Sequence, residues 1–244
     1  MHKNSKLCLN CGNKIKDNYC SHCGQSAKTG RIEYKAIIND LERIFVYLHR
    51  EVLYAVKELL IHPRHMILAY ISGQRKKYIS PIQYLFVLGA FYSVVIHLAN
   101  VFPDMEVNKL NINEIDYSYM YTYYYEYYSL WLLFSTPIFA FSSYLFYRKN
   151  GFNYMEHLVI YSYITGTKIF ILLAFYPIFY FTHAVLVYDM MTISTIVYNL
   201  IILMFIFKSS SWWWALIKSV LSIAFVLLIF SLLLLIYLIL KYNI

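Results

Sequence analysis

The sequence predicts an all-α polytopic membrane protein in which about five transmembrane helices follow a cysteine-rich module and an amphipathic helical segment. Composition points to a membrane protein, because 60% of the 244 residues are hydrophobic, 14% are charged and the mean hydropathy is +0.51. Soluble domains carry roughly 25% charged residues. The charge is also uneven: residues 1–79 hold 14 basic and 6 acidic residues, whereas residues 80–244 hold 7 of each. We therefore divide the chain into residues 1–30, 31–79 and 80–244.

Residues 1–30 contain every cysteine of the chain. The cysteines form two Cys-x2-Cys pairs separated by eight residues: Cys8, Cys11, Cys20 and Cys23. A glycine follows each pair, and glycine tolerates the left-handed backbone that turns amides toward the sulfurs. Four thiolates make a closed tetrahedral site, so the spacing predicts a structural Zn²⁺ that supplies the folding energy of this short module.

Disulfide bonds and a redox motif are two other uses of the cysteines that compete with zinc. Two disulfides need an oxidising compartment, whereas the basic flank of the module indicates the reducing cytosol. A redox motif needs one Cys-x2-Cys pair and not two. Zinc is therefore favoured, with His22 as a bystander inside the second pair.

Residues 31–79 alternate charged and apolar side chains at helical spacing. One face is predicted to carry Ile37, Leu41, Ile44, Leu48, Val52, Val56, Leu59 and Leu60. Pro63 separates this helix from a second, shorter one, and a basic cluster precedes the first span. Two arrangements remain open: a helix on the inner membrane surface, or a helical hairpin packed on the cytosolic ends of the spans.

Five apolar windows are long enough to cross a bilayer as helices, which takes about 20 residues. They are residues 81–102, 130–147, 157–181, 190–207 and 219–240. The loop at 103–128 is acidic, the loop at 148–153 is basic, and lysines flank the loop at 208–218. Because basic loops stay in the cytosol, the N-terminus is predicted inside and the C-terminus outside. Trp212–Trp214 are placed in the loop between the fourth and fifth spans.

Ionisable residues inside the spans are the candidates for an intramembrane polar site. Lys168 lies within the third window, and Glu156 and His157 precede it by about 18 Å of helix. His97 in the first window or Asn199 in the fourth could supply a partner from another helix. The alternative is that Lys168 snorkels or is uncharged in the bundle and Glu156 lies at the inner interface. No HExxH, GxSxG or phosphate-binding glycine loop is found, so the sequence gives no support for an enzyme.

The motif order resembles a known bacterial membrane family. Three features in this order are similar to the domain of unknown function 3667 family. They are the cysteine module, the segment "ELLIHPRHMILAYISGQRKKYISPIQYL" and several spans. Members of that family look like an N-terminal zinc ribbon followed by a pattern of Pro, Tyr-x-x-Gly-x-Arg and Tyr-x-x-Pro. Here the resembling pattern falls on Pro63, Tyr70–Arg75 and Tyr78–Pro81. The resemblance covers residues 8–85. Arg64 and His65 depart from it, because members tend to carry a small residue there.

The resemblance implies a bacterial inner-membrane architecture and no particular activity. The shared segment is interpreted either as a membrane-entry device or as a site for anionic lipid headgroups. In the second interpretation Arg75 binds a lipid phosphate. The residues assigned to that site are Arg75, Lys76, Lys77, Tyr70 and Tyr78.

Three functions are consistent with these sequence features. The first is a non-enzymatic binding or scaffold protein whose zinc ribbon faces the cytosol and contacts a protein partner or packs on the bundle. The second is a small transporter or lipid-handling protein that uses Lys168, Glu156 and His157. The third and weakest is an enzyme acting on lipid or envelope intermediates. The bilayer, with its anionic headgroups, is the expected partner, and nucleic acid is not expected despite the charge of +8.

Overall fold

The computed structural model describes residues 6–30, 50–99, 124, 127–207 and 211–242. Within these residues two short strands come first, β1 (Lys6–Leu7) and β2 (Lys14–Ile15), and seven α-helices follow. The helices are α1 (Arg50–Ile61), α2 (Pro63–Ile71), α3 (Pro81–Ala99), α4 (Tyr128–Tyr147), α5 (Tyr154–Thr182), α6 (Val185–Ile206) and α7 (Trp212–Tyr242). Five of them, α3 to α7, are long and apolar enough to cross a membrane, as the sequence predicts.

The N-terminal module has almost no hydrophobic core of its own. β1 and β2 pair antiparallel, with Lys6 opposite Ile15, and one isolated bridge joins Tyr19 to Ser26. The buried apolar residues of the described module are Cys8, Ile15 and Cys20. Burial of three small side chains cannot offset the conformational entropy of ordering some 25 residues. The fold of this module therefore depends on what its cysteines hold.

Helices α1 and α2 form a hairpin whose inner faces join the core of the bundle. Val52, Val56 and Leu59 are buried as the periodicity predicts, whereas Leu60 is 46% exposed. A helical turn contains 3.6 residues, so Leu60 falls outside the stripe that Val52, Val56 and Leu59 define. The hairpin packs on α5, and α2 also contacts α6. The predicted positions Ile37, Leu41, Ile44 and Leu48 lie outside the described residues.

The chain leaves α2 and enters α3 through a short connection with defined capping at both ends. Gly73 has φ +115°, and the amides of Gly73 and Gln74 donate to the carbonyls of Tyr70 and Ala69. This is the Schellman arrangement that ends a helix. Pro81 is the first residue of α3, where its missing N–H costs nothing.

The helix bounds differ from the predicted windows mainly at the fourth and fifth spans. α6 begins at Val185 and not at residue 190, and α7 begins at Trp212 and not at residue 219. Trp212–Trp214 therefore form the first turn of α7 and are not part of the loop. Asp189 lowers the hydropathy at the start of α6 and the tryptophans lower it at the start of α7, yet neither prevents a helix. The predicted acidic loop before α4 lies almost entirely outside the described residues.

Helix α5 is the centre of the bundle. It contacts α3, α4, α6 and both helices of the hairpin, and 61% of its most apolar window is buried. The corresponding share for α7 is 6%, and the main packing partners of α7 among the described residues are α4 and α6. α5 begins with a capping box, in which the Asn153 side chain accepts from the Glu156 amide and the Glu156 carboxylate accepts from the Asn153 amide.

Small hydroxyl residues join the apolar helices to one another. Ser142 of α4 donates to the Ser222 carbonyl of α7 at 2.7 Å, and Thr136 of α4 lies 3.1 Å from Thr165 of α5. Tyr147 donates to the Ala215 carbonyl at 2.7 Å. Lipid removes the hydrophobic driving force for helix association. Close packing of small residues and interhelical hydrogen bonds stabilise the association instead.

Candidate metal centre and its docking loop

The two cysteine pairs fold into two turns with matching hydrogen bonds. The amides of Cys8 and Cys20 donate to the carbonyls of Asn13 and Gln25, each at 2.8 Å. The glycine after each pair donates back to the first cysteine of that pair at 2.8 Å. Gly12 and Gly24 adopt φ +76° and +70°, so glycine occupies the left-handed position that the turn requires.

The matching turns bring all four sulfurs to one point. The ligand atoms lie within 4.8 Å of one another, with Sγ of Cys8 3.5 Å from that of Cys23, and Sγ of Cys11 3.6 Å from that of Cys20. A tetrahedron with metal–sulfur bonds of about 2.3 Å has edges of about 3.8 Å. The four free thiols therefore fit a metal ion bound by four sulfurs and fully enclosed by them.

The protein surroundings prepare some of these thiols to lose their protons. Burial opposes ionisation of Cys8, but the amides of Cys11 and Asn10 and the neighbouring thiols outweigh it and lower its pKa to about 7. The amides of Cys23 and His22 lower the pKa of Cys20. The amide of Asn13 favours the Cys11 thiolate, yet burial and the neighbouring sulfurs raise its pKa to about 12. A cation among the sulfurs removes that mutual repulsion, as a thiolate-bound metal does.

The module is docked on residues 72–77, which we call the docking loop, chiefly through Gln25. The Gln25 amide nitrogen donates to the Gly73 carbonyl at 2.7 Å. Its carbonyl oxygen accepts from the amides of Arg75 at 3.1 Å and Lys76 at 3.3 Å. Gln25 is 3% exposed. One buried side chain thus replaces water for three backbone groups that lie outside any helix.

Two further polar contacts extend this docking. Asn10, inside the first cysteine pair, accepts from the Lys77 amide at 3.2 Å. The Arg75 guanidinium donates to the Gly30 carbonyl at 2.5 Å, where the module ends. Because Asn10 and Gln25 each lie within two residues of a cysteine, the geometry of the sulfur cluster positions both of them.

Gly73 lets the module approach the docking loop closely. A Cβ placed on Gly73 would lie 2.6 Å from Cδ1 and 3.0 Å from Cβ of Leu9. The Leu9 side chain therefore occupies the space that any other residue at position 73 would fill. This contact gives a physical reason for the glycine in Tyr-x-x-Gly-x-Arg.

The residues predicted to bind lipid headgroups lie in and around the docking loop. Tyr70 and Tyr78 are 4% and 3% exposed, with Tyr70 edge-on to Tyr163 and Tyr78 stacked on Tyr54. The Arg75 guanidinium lies 5.9 Å above the Tyr70 ring, and the Lys77 ammonium lies 5.1 Å above the Tyr78 ring. The neighbouring Tyr78 side chain raises the pKa of Lys77. Lys76 is exposed. A headgroup role for these residues stays a prediction.

Tyrosines connect the docking loop to the bundle. Tyr163 of α5 donates to the Ile79 carbonyl at 2.6 Å, and the Tyr84 hydroxyl of α3 lies 3.1 Å from that of Thr167. A Cβ on Gly166 would lie 2.6 Å from the Tyr84 ring, so α3 and α5 meet at this glycine. The cysteine module, the docking loop and α5 form one continuous set of contacts.

The intramembrane candidates Glu156 and His157 have structural partners at the start of α5. The Glu156 carboxylate belongs to the capping box. His157 is fully buried, its Nδ1 lies 2.6 Å from the Ser143 hydroxyl, and its ring stacks on Phe207 with centroids 5.1 Å apart. Its Nε2 has no hydrogen-bond partner in the described part of the chain.

Lys168 and His97 lie away from that pair. Lys168 is twelve residues beyond Glu156, about 18 Å along the helix, and its ammonium lies 5.6 Å above the Phe139 ring. Within the described residues no carboxylate pairs with it. His97 is exposed in the last turn of α3. The structure brings Glu156 and His157 together at one helix end but does not bring all four residues into one site.

The sequence interpretation missed two parts of the site. Gln25 and Asn10 were not singled out, because their partners are 48 to 67 residues away and no local pattern marks them. The capping role of Glu156 did have a local signal, Asn-x-x-Glu ahead of an apolar run.

Residues 50–93 match the family model described as Protein of unknown function (DUF3667), which confirms the resemblance over that part of the chain. The match covers α1, α2, the docking loop and most of α3, and it does not include the cysteines. No curated protein and no solved structure matches the chain. The matched family carries no described activity, so function has to be argued from the site itself.

Proposed function

We propose that the protein is a bacterial inner-membrane scaffold without enzymatic activity, whose zinc ribbon is held in the cytosol to bind a protein partner. The ribbon is the platform, the docking loop fixes its orientation, and the five-helix bundle anchors it in the bilayer. Anionic lipid headgroups are the second partner in this proposal.

The choice of zinc is supported by the donor set. Four sulfurs in a tetrahedral arrangement suit Zn²⁺ or iron–sulfur chemistry, and an enclosed site with no open position suits a structural ion. Cys8, Cys11, Cys20 and Cys23 would hold the ion. Bound zinc would supply the folding energy that the small module lacks and would leave no coordination position for catalysis.

The scaffold role rests on one observation, the three hydrogen bonds of Gln25 to the docking loop. A module on a free tether would make no such buried contacts. A fixed module presents one face in a constant direction, which lowers the entropy cost of binding a partner. Leu7 and Tyr19 are 59% and 66% exposed on the module and provide apolar contact area.

The cytosolic placement is supported by charge. Residues 1–79 carry the whole formal charge of +8, and Lys76 and Lys77 lie directly ahead of α3. Basic residues beside a span are retained on the cytoplasmic side. Free thiols are also stable there, because the cytosol keeps cysteines reduced.

Partner capture from native membranes tests the scaffold role. We expect the full chain to recover the same cytosolic protein in repeated purifications after cross-linking. Replacement of Cys8 and Cys11 by serine should abolish recovery, because the ribbon unfolds. Lys168→Met, a control inside the bundle, should leave recovery unchanged. Recovery that survives loss of the cysteines would contradict the proposal.

The transporter alternative is less well supported. Glu156 caps a helix, His157 is enclosed by aromatic rings and Ser143, and Lys168 lies a long way along the helix from both. If these residues lined a path, Lys168→Met would be the damaging change and the cysteine variants the mild ones. The same pair of variants therefore separates the two functions.

A further inference from the structure

An open groove lies where the hairpin meets the end of α6. Its volume is about 680 Å³, within the range of small-ligand sites. The lining comes from the end of α1, from α2, from the start of the docking loop and from Phe205. Neither the cysteine module nor the intramembrane candidates contribute to it, so it is separate from the site described above.

One wall of the groove is basic and carries no acidic residue. His62, Arg64 and His65 line it together, and none of the ten lining residues is Asp or Glu. All three are exposed, and the His62 side chain makes no capping hydrogen bond to α2. In the described part of the chain no carboxylate pairs with the Arg64 guanidinium. The wall therefore offers a permanent positive charge and two imidazoles to an anion.

The apolar part of the lining, which we call the apolar wall, includes one residue of a membrane span. Ile61 and Leu68 come from the hairpin, and Phe205 is the penultimate residue of α6. α6 has 22 residues, about 33 Å of helix, so its end lies at the depth of the lipid headgroups. The Phe205 ring contacts Trp212 edge-on at 5.4 Å, and tryptophan concentrates at that depth.

We propose that this groove binds an anionic membrane phospholipid, with the headgroup phosphodiester at Arg64 and an acyl chain along Phe205. Charge and position together select this occupant. Arginine matches a phosphate with paired donors, and the imidazoles of His62 and His65 add further donors. Phe205 belongs to a membrane span, so an acyl chain that contacts it lies beside the hydrocarbon of the bilayer. The inference does not depend on the scaffold role of the ribbon.

The docking loop is a poorer place for the same ligand. The Arg75 guanidinium already donates to Gly30, and Tyr70 and Tyr78 are buried. Arg64 retains all its donors for a ligand in the described structure.

Lipid titration of the purified full chain tests the proposal. Dioleoylphosphatidylglycerol is added to the protein in neutral detergent, and binding of the first lipid is measured by native mass spectrometry, with dioleoylphosphatidylcholine as the uncharged comparison. We expect Arg64→Gln to weaken phosphatidylglycerol binding about fivefold, since a basic residue near an anionic surface contributes about 1 kcal/mol. Phosphatidylcholine binding should not change.

Two matched variants separate the groove from general charge attraction. Arg148→Gln removes an exposed arginine at the end of α4 and should change phosphatidylglycerol binding less than twofold. Ser72→Trp keeps every charge but fills the groove and should weaken binding as much as Arg64→Gln. Its control is Ser231→Trp, because both serines donate only to a carbonyl three residues earlier.

Three results would overturn the proposal. Equal losses in Arg64→Gln and Arg148→Gln would mean that binding follows net charge. Unchanged binding in Ser72→Trp would mean that the groove is not occupied. Competition by excess inorganic phosphate that displaces the lipid completely would mean that the apolar wall contributes nothing.

Discussion

Gln25 shows how one side chain can fix the position of a whole module. Its amide group has one donor and one acceptor side, and both face backbone groups of the docking loop, of which the Lys76 amide has Gln25 as its partner among the described residues. A buried polar group left without a partner costs about 1–3 kcal/mol. The residue is therefore worth more than an ordinary surface contact.

We expect Gln25→Leu to release the module from the docking loop. The change leaves the Lys76 amide without its partner and removes one of two partners from the Gly73 carbonyl and the Arg75 amide, which also bond to each other at 2.9 Å, so docking should weaken by about 1–3 kcal/mol. Hydrogen exchange of the docking-loop amides measures this directly. Gln74→Leu is the control, because no side-chain hydrogen bond of Gln74 is found among the described residues. Equal exchange in the two variants would contradict the docking geometry.

Gly73→Ala tests the close approach of Leu9. Alanine at a positive φ costs about 1–2 kcal/mol, and overlap with Leu9 adds about 1–3 kcal/mol. Gly151→Ala carries the same kind of backbone strain at φ +85° but has open space around its Cβ. We expect limited proteolysis to cut between module and hairpin only in Gly73→Ala. Similar cleavage in both would assign the effect to backbone strain alone.

At this scale the sequence predicted local geometry and missed distant contacts. The Cys-x2-Cys-Gly spacing determines each turn, so the sulfur cluster could be predicted from two short local patterns. Gln25 could not, because its partner is 48 positions away and the spacing carries no information on it. Leu60 was wrongly placed on the buried face. Spacings of three and four residues do not decide which of the two neighbours, Leu59 or Leu60, lies on that face.

At the scale of helices, α5 determines how the bundle packs. Gly166 lies against the Tyr84 ring, which is fully buried and bonded to Thr167, so the ring cannot turn away. An added methyl group would push α3 from α5. Interfaces between membrane helices rely on such small residues.

We therefore expect Gly166→Ala to destabilise the bundle by about 1–3 kcal/mol, the usual cost of overpacking. Thermal unfolding of the full chain in detergent measures this as a lower midpoint. Gly89→Ala on α3 is the matched control, since its Cβ would meet neighbours at 4.0 Å, an ordinary contact. That variant should be neutral or slightly more stable, because alanine favours helix over glycine. Destabilisation by both would argue against a specific contact at Gly166.

Hydropathy predicted the five spans but not all of their ends. Pro81 marked the start of α3 correctly, because proline at the first helical position is a local signal. The predicted start of α7 was seven residues too late, because three consecutive tryptophans are typical of a membrane interface and do not by themselves indicate a helix. Trp212 contacts Phe205 of α6, whereas Trp213 and Trp214 are exposed.

At the scale of the molecule, the ribbon, the hairpin and the bundle form one connected structure. The sulfur cluster positions Asn10 and Gln25, these hold the docking loop, and Tyr70 and Tyr163 join the docking loop to α5. The hydropathy and charge of the sequence predicted the three parts. Their contacts could not be predicted, because each contact joins residues from different parts of the chain.

Reporter fusions test the orientation of the whole chain. The five spans and the proposed cytosolic N-terminus predict that a fusion after Ile244 gives alkaline phosphatase activity and no green fluorescent protein signal, because the former is active outside and the latter inside. A fusion after Asn150 should give the opposite result. Cytosolic fluorescence from the C-terminal fusion would contradict the topology.

Hydrogen exchange of the docking loop, with metal bound and after chelation, tests the central claim most directly. The full chain purified from membranes under reducing conditions should contain one zinc ion, and the amides of Arg75, Lys76 and Lys77 should exchange slowly. Chelation should remove the ion and speed exchange at these amides while α5 stays protected. Exchange that does not respond to complete metal removal, or a purified chain that holds no metal, would contradict the account.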